Sequence, residues 1–180
     1  SGIFRKLSLI LESWYHLQAY NSYPCPNSIL EIGCGNLNHI KFEKKFKNYD
    51  VVEPKEYLIS KATLKEKKSI RYRFSYIEEI PDEKKYDKII AIAVLEHIDN
   101  LDNFLSKLTK HLKPNGKFII EIPAEGEFLW WLGWRLTTGI GFWLKYRLDY
   151  GVIMRFEHIN NAKTIIKSIK KYFLIKNIKS

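Results

Sequence analysis

Residues 28–36 read SILEIGCGN, an apolar run that stops at a glycine, a cysteine and a second glycine. Glycine at positions 33 and 35 permits positive φ and lets a ligand approach the bare backbone. The chain can therefore turn sharply out of a buried strand and present main-chain groups there. A dinucleotide fingerprint, G-x-G-x-x-G, needs a third glycine at position 38, which is Asn. A helix N-terminus opened for a pyrophosphate is thus not indicated. Instead, Glu31 stands two residues before the first glycine, where a carboxylate suits a ligand with a cationic end. A second acid, Glu53, follows Gly35 by 18 residues at the end of YDVVEP, where a carboxylate can accept both hydroxyls of a ribose.

The rest of the chain alternates strand and helix. Ile3, Leu7, Ile10, Leu11, Trp14 and Leu17 have the spacing of an amphipathic helix over 3–20, which YPCPNS breaks. Strands are expected at 28–32 and 49–54, with a weakly patterned helix at 38–46 between them and another at 56–65. SIRYRFS (69–75) alternates Ile70, Tyr72 and Phe74 with Arg71 and Arg73, the pattern of an edge strand with one wet face. YDKIIAIAV (86–94) lacks alternation and belongs in the middle of a sheet. A helix over 100–112, stopped by KPNG, leads to a buried strand at 117–123. Ile165, Ile166, Ile169, Tyr172 and Phe173 mark a last helix, and FLIKNI (173–178) is read as a last strand. The expected fold is α/β, a Rossmann-like, doubly wound, mostly parallel sheet with helices on both faces. Such sheets bind ligands at the carboxyl ends of their strands, near the point where strand order reverses.

With 180 residues, 46% hydrophobic and 28% charged, the chain is read as one soluble globular domain over 1–180. The net charge of +10 favours anionic partners or describes a lysine-rich solvated surface. Cys25 and Cys34 give neither a disulfide framework nor metal-ligand spacing, so a reducing, cytoplasmic location is expected. No signal peptide opens the chain, and Ser1-Gly2 in place of a methionine reads as a cloning scar or a cut end.

A ribose, a positive group and no phosphate together describe S-adenosylmethionine. LEIGCGN, VVEP, YDKIIAIAVLEHI and LKPNGKFIIEIP, in order over residues 29–123, resemble the class I SAM-dependent methyltransferases. The resemblance is to the small-molecule type that includes ubiquinone and sterol methyltransferases. It implies that the backbone of Gly33, Cys34 and Gly35 lines the methionine part of the cofactor, with Glu31 nearby. It gives Glu53 the ribose hydroxyls, sets Tyr76 and Ile77 beside the adenine, and passes Ala93, Val94 and Leu95 beneath the sulfonium; S-adenosylhomocysteine would be the product. Two departures stand out. Leu37 occupies the place of the family's third glycine, and Ser75-Tyr76 replaces an aspartate that often meets the adenine amino group.

Methyl transfer from a sulfonium is an in-line displacement that needs positioning and a deprotonated acceptor. An amine acceptor needs no base; a hydroxyl acceptor needs one, and His97, after Glu96 in the loop following the fourth strand, and His158, in RFEHIN, are the candidates. Each is equally suited to a capping or bracing role. Some quinone O-methyltransferases carry a further acid three residues before the glutamate of this loop; Ala93 stands there, so no metal is expected.

Residues 124–157 hold four of the five tryptophans and five of the nine glycines. This segment is read as a lid over the acceptor site, with Glu96, Trp130 and Trp134 lining it and Arg135, Lys145, Arg147 and Arg155 able to meet an anionic group. It equally suits an extra packed helix or a peripheral membrane surface. It is no transmembrane span, because Arg135 and several glycines interrupt it. The expected acceptor is a small molecule or glycan-type compound, anionic or lipid-linked. An RNA or protein methyltransferase and a non-catalytic membrane-surface protein are the alternatives, although no compact basic stripe or RNA-binding module marks a nucleic-acid partner. After FLIKNI no sequence remains for the second strand of the hairpin that closes the family's sheet. Either the chain is cut short there or the sheet lacks that strand, and an exposed hydrophobic edge would favour a homodimer or poor solubility.

Overall fold

A computed structural model describes residues 2–122 and 159–178 of the chain. Five strands form one sheet: β1 (Ser28–Ile32), β2 (Asn48–Val52), β3 (Tyr72–Phe74), β4 (Tyr86–Ile92) and β5 (Leu112–Glu121). Their order is β3-β2-β1-β4-β5 and every neighbouring pair is parallel. The chain moves outward from β1 to β3, then crosses back to lay β4 on the other side of β1. Strand order therefore reverses between β1 and β4, which opens a crevice at their carboxyl ends.

Both faces of the sheet are covered, so the strands read as continuous apolar runs rather than alternating ones. All five residues of β1 are buried. Leu30, Ile32, Ile89 and Ala91 face one core, closed by Leu105 and Leu108 of α4 (Leu101–Thr109) and Ile165 and Ile169 of α5 (Ala162–Tyr172). Ile29, Tyr49, Val51 and Ile90 face the other core, with Ala19 of α1 (Gly2–Ser22), Leu37, Ile40 and Ile59 of α2 (Glu56–Ser60). Asn100 caps α4 through the Asn103 N–H, and Asn161 caps α5 through the Thr164 N–H.

Several expected elements take a different form. The segment 38–46 is a run of turns rather than a helix: Leu37, Phe42 and Glu43 donate to carbonyls three residues back, at Cys34, His39 and Ile40. The helix expected over 56–65 is divided, because Thr63 forms a capping box with Glu66 and starts a new helix, α3 (Leu64–Ser69). β3 is the edge strand as its alternation implied, but its faces are not cleanly divided: Phe74 is buried while Tyr72 lies half exposed beneath Lys84 Nζ, 3.7 Å from the ring centre. KPNG does not precede β5 but lies within it. Tyr86 pairs with Leu112 and Lys88 with Lys117, so residues 113–116 bulge out, with Asn115 at φ 65°. Residues 174–178 are not a strand, and Leu174 is 85% exposed. In α1, the stripe Ile10, Trp14 and Leu17 is exposed, and the helix docks by His16 and Ala19 instead.

Leu37 has φ 65° and is fully buried. It keeps the backbone conformation for which a glycine is the usual choice and adds a side chain to the core, at a cost of about 1–2 kcal/mol for the left-handed geometry. Removing a buried leucine side chain costs about 2–5 kcal/mol, so both Leu37→Ala and Leu37→Gly are expected to be destabilised. Leu37→Gly is expected to be the more stable of the two in urea unfolding, although it removes one more carbon. The opposite order would show that backbone strain at this position is not significant.

Candidate functional site

Three strands run out at the same level. Gly33 N–H donates to Val52 O (2.8 Å), Glu53 N–H to Phe74 O (2.9 Å) and Ala93 N–H to Glu121 O (2.9 Å). Each bond is the last of its ladder, and beyond it lies one of the residues singled out in the sequence. Gly33 is at φ 65° and Gly35 at φ 51°. A Cβ on Gly33 would lie 2.4 Å from Val94 Cγ2, so the loop after β4 closes onto β1 only because position 33 lacks a side chain. A Cβ on Gly35 would meet nothing within 4 Å, which leaves that backbone open to a ligand.

Glu53 is buried and braces the glycine turn. Gly35 N–H donates to its Oε2 and Lys55 N–H to its Oε1, both at 2.9 Å. Each carboxylate oxygen has a second lone pair, so capacity remains for a vicinal diol. Glu31 is buried too and accepts from the Tyr49 hydroxyl at 2.7 Å. Burial pushes its carboxyl up to about 7, against a partial offset from His39 and the Tyr49 hydroxyl. Cys34 is buried, and burial with Glu31 and Glu53 nearby pushes its thiol up, so it is no thiolate nucleophile.

Tyr76 and Ile77 diverge. The Tyr76 side chain is 60% exposed, whereas Ile77 is buried in the core shared with α4. After β4, Ala93 adopts φ 52°, an uncommon conformation for a residue with a Cβ, and Leu95–His97 form a single 3-10 turn. Leu95 and Glu96 point inward and His97 is exposed. Burial raises the Glu96 carboxyl, whose Oε2 has no hydrogen-bond partner among the described residues. The turn is held from below by a residue the sequence did not single out as a site residue. Asn160 Nδ2 donates to Leu95 O (3.0 Å) and Ile98 O (2.7 Å), while Glu96 O accepts from the Ile159 and Asn160 N–H groups.

Two histidines absent from the sequence-based site complete the arrangement. His16 of α1 and His39 of the turns approach Nδ1 to Nδ1 at 3.1 Å. With Glu31, Gly33, Gly35 and Asn38 they line a cavity of about 230 Å³. Their signal was His16 at the spacing of Ala19, Tyr20 and Tyr23, a helix face that reads as the less apolar one. His158, Trp130, Trp134, Arg135, Lys145, Arg147 and Arg155 lie outside the described residues, as does the whole of 124–157. Among the described residues no cluster of His, Cys, Asp and Glu is placed to hold a metal, and no helix is long and apolar enough to cross a membrane.

A family model described as a methyltransferase domain matches residues 13–165. The chain belongs to the class I SAM-dependent methyltransferases. It is 31% identical over 151 residues to a ubiquinone biosynthesis O-methyltransferase of Rickettsia conorii, covering 79% of this chain and 52% of that protein. The same enzyme of Rickettsia akari is 30% identical over 160 residues, covering 84% and 64%. The chain thus spans between about half and two-thirds of the length of these relatives. Among solved structures, the N-methyltransferase NodS from Bradyrhizobium japonicum in complex with S-adenosyl-l-homocysteine aligns with a TM-score of 0.62 at 17% identity, over 87% of this chain and 70% of that one. A SAM-dependent methyltransferase from Clostridium acetobutylicum aligns at 0.51 and 23% identity, over 62% and 50%. These likenesses show the fold: the Rossmann-like methyltransferase architecture expected from the sequence.

Two buried groups of the cavity respond to pH in opposite directions. A carboxyl that rises from 4.5 to about 7 on folding binds its proton more tightly in the native state, so Glu31 costs stability progressively as pH rises from about 4.5 to 7. Burial, with His39 and Lys41 nearby, lowers His16 to about 4, so its contribution to stability is regained as pH rises from about 4 to 6.5. The trends oppose one another in the wild type. Glu31→Gln is expected to remove the first, gaining on the order of 3 kcal/mol over the wild type at pH 8 and little at pH 4. Urea unfolding across that range checks this; a constant offset between the two proteins would refute it.

Proposed function

We propose that this chain binds S-adenosylmethionine across the glycine turn and transfers its methyl group to a hydroxyl-bearing small molecule. The observation that carries this reading is the Glu53 carboxylate at the end of β2, fixed beside the glycine turn by the Gly35 and Lys55 N–H groups with acceptor capacity to spare. The donor set fits the cofactor. Glu53 would accept the ribose hydroxyls, Glu31 would face the ammonium, and the bare backbone of Gly33, Cys34 and Gly35 would line the methionine chain. Tyr76 would flank the adenine through its exposed ring, while Ile77 supports that position from the core. Ala93, Val94 and Leu95 would form the floor beneath the reacting centre. When bound, the cofactor supplies a sulfonium methyl group as the electrophile.

The chain's own part is then to hold the acceptor and take its proton. His97, exposed at the turn pinned by Asn160, is one candidate base and His158 the other. Glu96 lies beside His97 and, with its carboxyl raised by burial, is suited to hydrogen-bond an acceptor hydroxyl. The aromatic segment 124–157 is proposed as the acceptor lid, with Trp130 and Trp134 against the acceptor and Arg135, Lys145, Arg147 and Arg155 reading an anionic, glycan-type or lipid-linked group. Relatives named for ubiquinone biosynthesis O-methylation support a hydroxyl as the acceptor atom. The basic surface and the absence of any acid at Ala93 support a metal-free reaction on an anionic compound.

Calorimetric titration with S-adenosylhomocysteine tests the reading. Micromolar binding is expected in the wild type. Glu53→Ala, which loses charge-assisted hydrogen bonds to the ribose, is expected to weaken it by at least about tenfold, and Glu53→Gln, which keeps one acceptor oxygen, by less. No binding by the wild type, or full binding by Glu53→Ala, would overturn the cofactor site.

A further inference from the structure

Glu31 is the acid that lines the cavity beside the glycine turn, and its carboxylate is held from within the sheet. In the register of β1 and β2, Tyr49 pairs with Ile29 and Val51 with Glu31, so Tyr49 and Glu31 are diagonal neighbours on one face. The Tyr49 hydroxyl reaches along that diagonal and donates to Glu31 Oε2 at 2.7 Å. Among the described residues it is the one side chain that donates to this carboxylate. Tyr49 is fully buried, its ring centre lies 5.2 Å from that of Phe46, and it takes no part in the cavity wall. An apolar side chain would fill the same core without burying a hydroxyl, which is costly unless it is partnered. The hydroxyl therefore has its use in the direction it gives to Glu31.

Titratable groups face the acid from every element packed against it. His39, from the turns, favours the carboxylate, while Glu43 and Glu53 oppose it. Lys88 of β4 is fully buried and donates to Glu43 Oε1, which also accepts from His39 Nε2 at 2.9 Å. His16 of α1 meets His39, and burial, with His39 and Lys41 nearby, lowers His16 to about 4, so it is neutral near pH ~7. Burial keeps the Cys34 thiol and the Tyr49 hydroxyl protonated. Tyr49 is thus a permanent donor, and a donor favours the ionised form of its acceptor. We propose that Tyr49 is a positioning residue of the cofactor site: its hydroxyl fixes the Glu31 carboxylate in the orientation that receives the cofactor's ammonium group. This rests on the cofactor reading above and deepens it. Tyr49 touches neither ligand nor reacting atoms and acts through Glu31. Without the hydroxyl, the carboxyl would be free to turn away from the cavity and would keep its proton to higher pH.

Tyr49→Phe removes one oxygen and keeps the ring in the core. Two calorimetric probes separate positioning from mere support of the sheet: S-adenosylhomocysteine, and 5′-methylthioadenosine, which keeps the adenosine and the thioether but lacks the amino-acid end. At pH ~7 the variant is expected to bind S-adenosylhomocysteine at least about threefold more weakly than the wild type, and methylthioadenosine within about twofold of it. The pH profile gives a second readout, taken as the ratio of the two affinities so that groups acting on both probes alike cancel. In the wild type the preference for S-adenosylhomocysteine is expected to rise with pH to about 7, as Glu31 loses its proton, and then to level. In Tyr49→Phe the rise is expected to move to higher pH, because a bond that favours the carboxylate is gone. A flat ratio in the wild type would overturn the assignment without any variant. Equal losses for both probes, no loss for S-adenosylhomocysteine, or a profile that stays in place in the variant would each overturn it too. Binding of neither probe by the wild type would instead be the failure of the cofactor reading itself.

Discussion

At the rim of the site the bare backbone of one strand end packs directly against a side chain from the end of another. Gly33, leaving β1, lies so near Val94, leaving β4, that a single added carbon would fall within 2.4 Å of the valine side chain. The crevice of a parallel sheet opens where neighbouring strands send their connections in opposite directions. Here it is narrow because one lip carries no side chain. Two further features shape the same rim: Gly35 is held over the end of β2 by Glu53, and the loop after β4 turns back at once through Ala93 in an uncommon conformation.

Loops at such a rim must be positioned without a ladder of their own. In this chain, buried polar side chains do so from three directions. Glu53 fixes the glycine turn, Asn160 fixes Leu95–His97 from the start of α5, and His16 reaches the turns from α1. These groups bond chiefly to backbone atoms or to one another, so the rim's shape depends on a few directed contacts more than on apolar packing. Buried hydrogen bonds of this kind are costly to leave half made, which gives the rim a single arrangement.

The fold was legible in the sequence because its strands are buried on both faces and punctuated by glycine and proline. The strand ends at Ile32, Val52 and Ile92 could be read within a residue or two, and the acids at 31 and 53 followed from them. Segment 38–46 was misread as a helix because its apolar residues serve tight turns that a left-handed Leu37 begins, and no side-chain pattern announces a leucine in that conformation. KPNG reads as a terminator, yet it is a bulge within β5, since a strand can absorb extra residues where its neighbour holds the register on either side. The His16–His39 pair was missed for a different reason. Its members are 23 positions apart, and only the docking of α1 by its less apolar face brings them together.

The Lys88–Glu43 pair limits how this chain can change over time. Both side chains are fully buried, and removing one partner of such a pair costs about 3–5 kcal/mol, a large share of a domain's stability. Replacing both with apolar residues of similar volume is often close to neutral. The two positions are therefore accessible to each other's loss but not to their own: any lineage that abandons the lysine must abandon the glutamate with it. His39, deprived of its acceptor, would then be released from its present orientation. A charge hidden in the middle of β4 in this way ties the drift of a core strand to that of the turn beside the cavity.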